Sequence, residues 1–320
     1  MDRIAVLLEG IDPAAGSGLE FGALHNPVLR RPQARVRYVD HADTQALRAK
    51  YRGNPGVDPA RIVDVDIVWT GGALAEACGG ERFDYVIASH VIEHIPDPIG
   101  WLAQLRSVLR PEGTVRLIVP DRRYCFDYRR QTSSAADMIL AAREGRARPG
   151  AREILDFQLN MATLDCEAAW RGELPAELPP DPARYREALG SLARAEEGGE
   201  YVDVHCWVFT PLAFARLMRE LAAYGLIDFA CTRLTATAPG ALDFFVHLLA
   251  TDDRALIERT WHWAVEQHLA AETIRTAAAN PIARIAPLAR RLAGRLARQA
   301  ASQVAGRLGG RPGGGSPGEG

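Results

Sequence analysis

The regular patterning of the chain starts at Gly18, where short apolar runs begin to alternate with amphipathic stretches, the rhythm of strand–helix–strand units around a parallel sheet. "GLEFG" is a short run ending in a glycine turn, and "RVRYVD" follows it. "TQALRAKYR" has helical spacing with Thr44 at the capping position, and "ARIVDVDIVW" then reads as a strand before a short helical "GALAEA". "RFDYVIAS" is apolar almost throughout, as a strand covered on both faces requires. Behind it, Asp97 is placed to cap a helix with Pro98 at its first position, apolar spacing through Trp101, Leu105 and Leu109, and a Pro-Glu-Gly stop. "TVRLIVPD" is then the fifth strand.

Residues 122–200 break this rhythm. Three helical patterns, "SSAADMILAAREG", "AREILDFQLNMA" and "ARYREALGSLARA", are joined in part by the proline-rich "GELPAELPPDP" and read as an inserted helical cap. The rhythm resumes with a helix capped by Thr210 and Pro211, then "LIDFACTRLTATA" and "LDFFVHLLA" on either side of a Pro239-Gly240 turn, an antiparallel hairpin at the edge of the sheet. The expected fold is therefore α/β: a doubly wound, mostly parallel sheet with an antiparallel C-terminal hairpin, an inserted helical cap and a helical C-terminal extension. The expected division is 1–121 and 201–252 for the two parts of the core, 122–200 for the cap, 253–308 for a basic helical extension and 309–320 for a disordered tail. In the extension Leu288, Leu292, Leu296 and Leu308 share a face among arginines. Such a helix suits peripheral contact with an anionic membrane surface, or packing on the core or a partner.

Composition narrows the classes. A net charge of -2 gives no general drive toward nucleic acid, and no basic stripe is interleaved with aromatics, so no nucleic-acid partner is expected. The five cysteines form no C-x-x-C pair, which fits reduced thiols. The start of the chain has an apolar run interrupted by Glu9 and Asp12, unlike a signal peptide, and no segment is apolar for the roughly 18 residues that spanning a bilayer needs. A cytoplasmic location is expected, possible contact at the inner membrane face being left to the extension.

At the end of the "RFDYVIAS" run stands "SHVIEH", Ser89 to His94, which spells the H-x-x-E-H zinc pattern. That pattern needs both histidines on one helix, where an i, i+4 spacing aims them at a single ion. His90 leaves a strand directly, and Pro96 and Pro98 stop a helix from running on, so no metal is expected here.

The stretch "FDYVIASHVIEHIPDPIGWLAQLRSVLRPEG", followed by an apolar strand, resembles the fourth- and fifth-strand signature of the class I S-adenosylmethionine-dependent methyltransferases, particularly those related to quinone biosynthesis. The resemblance runs from about Gly18 to Ala250. It implies S-adenosylmethionine as cofactor, with Gly22 admitting the backbone to the methionine portion and Asp40 accepting bonds from both ribose hydroxyls. It further implies Asp66 on the adenine amino group, or Asp64 if the register slips by two, with Ile67 on the adenine face and Ser89 and His90 at the methionine end. The first loop, "LEFGALHNP", keeps Glu20 and Gly22 but replaces the family's later glycines with Leu24 and Asn26; Asn26 can supply part of the turn geometry and His25 a contact. A G-x-G-x-x-G dinucleotide fingerprint is absent from this turn.

Methyl transfer is an in-line displacement at a carbon activated by the sulfonium, so the protein aligns the partners and removes a proton if the acceptor is a hydroxyl. His205 is the favoured base and Asp121 the group orienting the acceptor or the histidine, with His94 and Tyr124 as further candidates; packing roles compete for each histidine. The expected function is O-methylation of a small molecule or a sugar or glycan precursor. Against it stand a non-catalytic cofactor-binding module and an NAD-dependent sugar-modifying enzyme. Oligomeric state is not legible.

Overall fold

In a computed structural model, which describes residues 2–174 and 179–279, seven strands form one sheet. They are β1 (Ser17–Phe21), β2 (Arg35–Asp40), β3 (Ile67–Val68), β4 (Phe83–Ser89), β5 (Leu109–Pro120), β6 (Phe229–Thr235) and β7 (Asp243–Ala250), in the order β3-β2-β1-β4-β5-β7-β6. The pairings among β1 to β5 are parallel, while β7 pairs antiparallel with both β5 and β6. The expected fold class holds, including the antiparallel hairpin.

Two-sided burial explains the apolar strands. Phe83, Val86 and Ala88 of β4 and Val115, Leu117 and Val119 of β5 enter one core cluster, whereas Tyr85 and Ile87 of β4 and Ile118 of β5 enter another. Successive side chains of a strand point to opposite faces, so a sheet covered on both sides needs apolar residues at nearly every position. Helix α4 (Pro98–Val108) covers one face with Trp101, Leu102 and Leu105, all at 3% exposure or less. Each such side chain contributes roughly 1.5–3 kcal/mol through burial. Asp97 caps α4 by accepting from Gly100 N at 2.9 Å, and Pro98 opens it, as the sequence implies.

Other boundaries differ. Helix α1 (Arg3–Leu7) precedes the expected start of regular structure; Arg3 is anchored to Asp243 at 2.6 Å and Leu7 is fully buried. Helix α2 (Thr44–Lys50) is capped by Asp43, not Thr44, whose hydroxyl instead accepts from Val65 N. The long strand read in "ARIVDVDIVW" contracts to the two residues of β3, because a 3₁₀ turn at Pro59–Arg61 and side-chain bonds to Asp64 and Asp66 use the approach to it. α3 (Leu74–Ala77) follows. The Pro-Glu-Gly expected to stop α4 lies inside β5, at an irregularity in its pairing with β4, with Glu112 at φ +60°.

Between β5 and α9 (Pro211–Ala223) come α5 (Ala135–Glu144), α6 (Ala151–Asn160), α7 (Cys166–Arg171) and α8 (Pro182–Glu196). α6 and α8 pack on each other, and α5 against α4 and α9. The segment before α5 is fastened by Arg130, whose side chain is 1% exposed and bonds Asp127 and Asp156 at 2.8 Å each. A residue cluster extending to His268 forms one compact unit, in which Ile257, Trp261 and Ala264 of α10 (Arg254–Ala279) are buried; a second unit starts at Leu269. The expected amphipathic stretch at 282–308 and the tail at 309–320 lie outside the described residues. No described helix is long and apolar enough to cross a membrane.

Tight packing of β1 on β4 gives a direct test. Gly18 lies opposite Tyr85, and a Cβ at Gly18 would stand 1.9 Å from the Tyr85 ring. Gly18→Ala is expected to destabilise the fold by about 1–3 kcal/mol through overpacking. Chemical denaturation checks this, and an unchanged midpoint would contradict the packing.

Candidate active site

The parallel strands end together. Phe21 of β1 pairs with both Val39 and Ala88, and Asp40 pairs with Val68, so β1, β2, β3 and β4 release their chains at one edge. A cleft of about 760 Å³ opens there, within the range usual for small-molecule sites. Gly22 turns out of β1 at φ +64° while its N–H bonds Val39 O at 3.0 Å; an added Cβ would stand 3.1 Å from Val91 Cγ2. Leu24 takes a left-handed conformation at φ +44°, and His90 does so beyond β4 at φ +54°.

Asp40 closes β2 on the cleft wall with its carboxylate 7% exposed. Its Oδ1 accepts from His41 N at 2.8 Å and lies 2.7 Å from His41 Nδ1. After β3 the chain places Trp69 on the wall, held by its N–H to Asp40 O at 2.9 Å and by an edge contact with Phe21. Trp69 and Thr70, rather than Asp66 and Ile67, therefore stand at the carboxyl end of β3. That is a correction to the sequence reading, and its cause is the register of a strand only two residues long.

The other expected cofactor residues divide. Gly22, Asp40 and His90 line the cleft; Glu20, His25, Asn26, Asp66, Ile67 and Ser89 do not. Glu20 is 2% exposed and turns under the first loop, accepting from Val28 N at 2.6 Å and Leu29 N at 3.0 Å. Asp66 accepts from Arg31 and from Tyr38 N at 2.7 Å. Ile67 is core. Ser89 pairs with Ile118 as the last residue of β4. Asn26 is exposed and does not supply the left-handed position, which falls to Leu24, because the turn closes between Ala23 O and Asn26 N. His25 is half-buried with Nδ1 unpartnered.

Of the catalytic candidates, His94 alone lines the cleft. Asp121 is fully buried and bound by Arg123, at 2.6 Å through Nη2, and by the Thr237 hydroxyl at 2.6 Å; it fastens the end of β5 to the segment before β7 instead of orienting an acceptor. Tyr124 is stacked on Trp170 with ring centroids 3.9 Å apart, away from the cleft. His205, 8% exposed, stands edge-on to His94 at 4.6 Å between ring centroids.

The H-x-x-E-H stretch forms a 3₁₀ turn at Ile92–His94, so His90 and His94 share no α-helical face. His90 turns instead to Asp243, at 3.1 Å, and with Nδ1 3.4 Å from Glu93. Burial disfavours its charge, but these two carboxylates outweigh that effect and raise its pKa to about 9. A different set converges: Glu93, His94 and His205 each place one potential ligand atom within 4.8 Å of the others. Backbone bonds cause this. The Glu93 carbonyl accepts from Cys206 N at 2.7 Å and Trp207 N at 3.1 Å, and Trp207 Nε1 donates to Ile95 O at 2.6 Å, stitching the returning segment to the turn. Sequence reading missed Glu93, Asp127 and Asp203 as partners of these histidines. The signal it had was the alternation of Asp203 with His205.

A sheet of this order, opening a cleft at its parallel carboxyl edge with an aspartate at the end of β2, has the architecture of a class I S-adenosylmethionine-dependent methyltransferase. The chain belongs to the methyltransferase-domain family, whose model matches residues 1–222. It is 36% identical over 70 residues to the ubiquinone biosynthesis O-methyltransferase of Cereibacter sphaeroides, covering 22% of this chain and 25% of that protein. With the enzyme of the same name from Ruegeria pomeroyi the identity is 30% over 131 residues, 41% of each chain. The matches thus span from a quarter to two fifths of these curated relatives. Among solved structures, an S-adenosylmethionine-dependent methyltransferase from Aquifex aeolicus is similar over 78% of this chain and 90% of its own, at 11% identity and a TM-score of 0.36.

Glu20 yields a pH prediction. Burial is the dominant influence and, despite its two backbone bonds, raises its pKa from 4.5 to about 7. A carboxyl with a raised folded pKa stabilises the fold fully below its unfolded pKa, and that stability is lost as pH rises through the folded value. The wild type is therefore expected to lose on the order of 3 kcal/mol between about pH 4.5 and 7 relative to Glu20→Gln. Parallel thermal melts of the two proteins across that window check it; identical pH profiles would contradict the assignment.

Proposed function

We propose that the protein transfers the methyl group of S-adenosylmethionine to a hydroxyl oxygen of a small-molecule acceptor. The observation that carries this reading is Asp40 at the end of β2, its carboxylate on the wall of a cleft bounded by Gly22 and Trp69. A carboxylate is an acceptor only and can hold two vicinal hydroxyls, which suits a ribose. The indole of Trp69 offers a flat surface for adenine, and the left-handed backbone at Gly22 leaves open the space a Cβ would take. Choice of oxygen is supported by the names of the curated relatives, which are O-methyltransferases.

In the reaction the acceptor oxygen forms a bond to the methyl carbon as the carbon–sulfur bond breaks. The electron pair of that bond stays on sulfur, which leaves as the neutral thioether. The protein supplies alignment and a route for the acceptor's proton. We assign that route to His94, which opens to the cleft with its side chain 33% exposed and has the buried Glu93 and His205 behind it. Burial opposes charge on His94, but the bond to Asp203 and the charges of Glu93 and Asp203 raise its pKa above the ordinary value.

Asp40→Ala is expected to weaken S-adenosylmethionine binding by about 1–3 kcal/mol, the loss typical of hydrogen bonds to a charged group. Gly22→Val is expected to abolish it, since a β-branched side chain at φ +64° is strained and would press on Val91. Isothermal titration of both variants is the check, with circular dichroism to confirm the fold. Wild-type affinity in Asp40→Ala would remove the ribose role.

A further inference from the structure

We propose that Glu93, His94 and His205 form a binding site for one divalent transition-metal ion of the zinc class. Glu93 carries the argument. It is 0% exposed, and neither carboxylate oxygen accepts a hydrogen bond; one ion-pair contact, to His90 Nδ1 at 3.4 Å, partly compensates its charge. That single contact leaves most of the carboxylate's lone pairs unmet, and buried carboxylates are completed by hydrogen bonds or by a metal.

The two histidines are oriented as metal ligands are. His94 Nδ1 lies 2.9 Å from Asp203 Oδ1 and His205 Nδ1 lies 2.6 Å from Asp127 Oδ2. An ionised carboxylate only accepts, so each Nδ1 donates, and in the neutral imidazole the lone pair is then on Nε2. Carboxylates that fix the tautomer and ring orientation in this way are the usual outer partners of ligating histidines. Asp127 is itself held by Arg130 at 2.8 Å, which makes the support rigid.

Each of the three residues offers one ligand atom, a ring nitrogen or a carboxylate oxygen, and these lie within 4.8 Å of one another. A zinc ion about 2.0–2.1 Å from each would draw them to roughly 3.4 Å, a closure on the scale of a small side-chain rotation. Two imidazoles and one carboxylate suit zinc and its neighbours in the series better than magnesium or calcium, which prefer oxygen alone. Three protein ligands leave a coordination position for water or an acceptor hydroxyl, whose proton the ion makes easier to lose. This last role rests on the cleft being the methyl-transfer site; the binding of the ion does not.

The test uses the full chain, stripped with a chelator and titrated calorimetrically with Zn²⁺ near neutral pH, in the absence of S-adenosylmethionine. One ion per chain is expected. Glu93→Gln and His205→Gln, both close in shape to the original residues, should each weaken binding at least about 10-fold, and Asp203→Asn by about 10- to 100-fold although it touches no metal. His262→Ala, which removes an exposed histidine paired with Glu266 on α10, should leave the titration unchanged. Co²⁺ in place of Zn²⁺ should give visible absorption bands that the Glu93 and His205 variants lose. The proposal is overturned if the wild type takes up no stoichiometric Zn²⁺, or if neither Glu93→Gln nor His205→Gln alters uptake. Cofactor titration of the stripped protein, run separately, reports on the methyl-transfer reading whatever the metal does.

Discussion

The cleft depends on the register of the parallel strands. Phe21, Val39 and Ala88 stand side by side across β1, β2 and β4, and Asp40 stands beside Val68 of β3, so four successive chain segments leave the sheet at one level. Both faces of the sheet are packed, which leaves this edge as the place where backbone can meet a ligand. Each exit must bend sharply, and two of them do so through left-handed backbone, at Gly22 and Leu24 after β1 and at His90 after β4. The buried Glu20 carboxylate then ties down the loop beyond β1 by accepting from Val28 and Leu29. The cleft wall is thus a consequence of strand pairing and one buried carboxyl group.

A second convergence is independent of the first. The peptide carbonyl of Glu93 accepts two N–H groups from the segment that follows α8, and this brings His205 to the turn that follows β4. Side chains continue the stitching: Asp203 to His94, Asp127 to His205, Arg130 to Asp127. Burial tends to raise the carboxyl of Asp127, but the His205 and Arg130 contacts overcome it and keep the pKa below its ordinary value, so the group stays an acceptor. Glu93 and His94 on one segment and His205 on another, more than a hundred residues on, are thereby held together with few degrees of freedom.

How legible these features were followed the range of the interactions behind them. The β4 run and the Asp97–Pro98 start of α4 rest on local periodicity and capping, and both were readable. The absence of a helix through His90 and His94 was readable too, from the strand before them and the prolines after. Asp40 stands at the end of β2, where the sequence placed it, while its ribose role was implied by the family resemblance. Asp66 was misplaced because "ARIVDVDIVW" alternates like a strand, whereas bonds to Thr44, Tyr38 and Arg31 fix it as a connection; those partners are remote in sequence. Asp121 was read as an orienting group at the end of the fifth strand, yet Thr237, more than a hundred residues on, claims its carboxylate. The expectation that no metal is held considered His90 with His94. The set that does converge joins Glu93 to His205, a pairing that backbone bonds across the fold create and periodicity does not register.

The most direct measurement of the central claim is a crystal structure with S-adenosylhomocysteine bound. The account predicts the nucleoside in the cleft at the carboxyl edge of β1 to β4, both ribose hydroxyls bonded to Asp40 and the adenine beside Trp69. Ligand density seated away from that edge, or a ribose with no contact to Asp40, would contradict it.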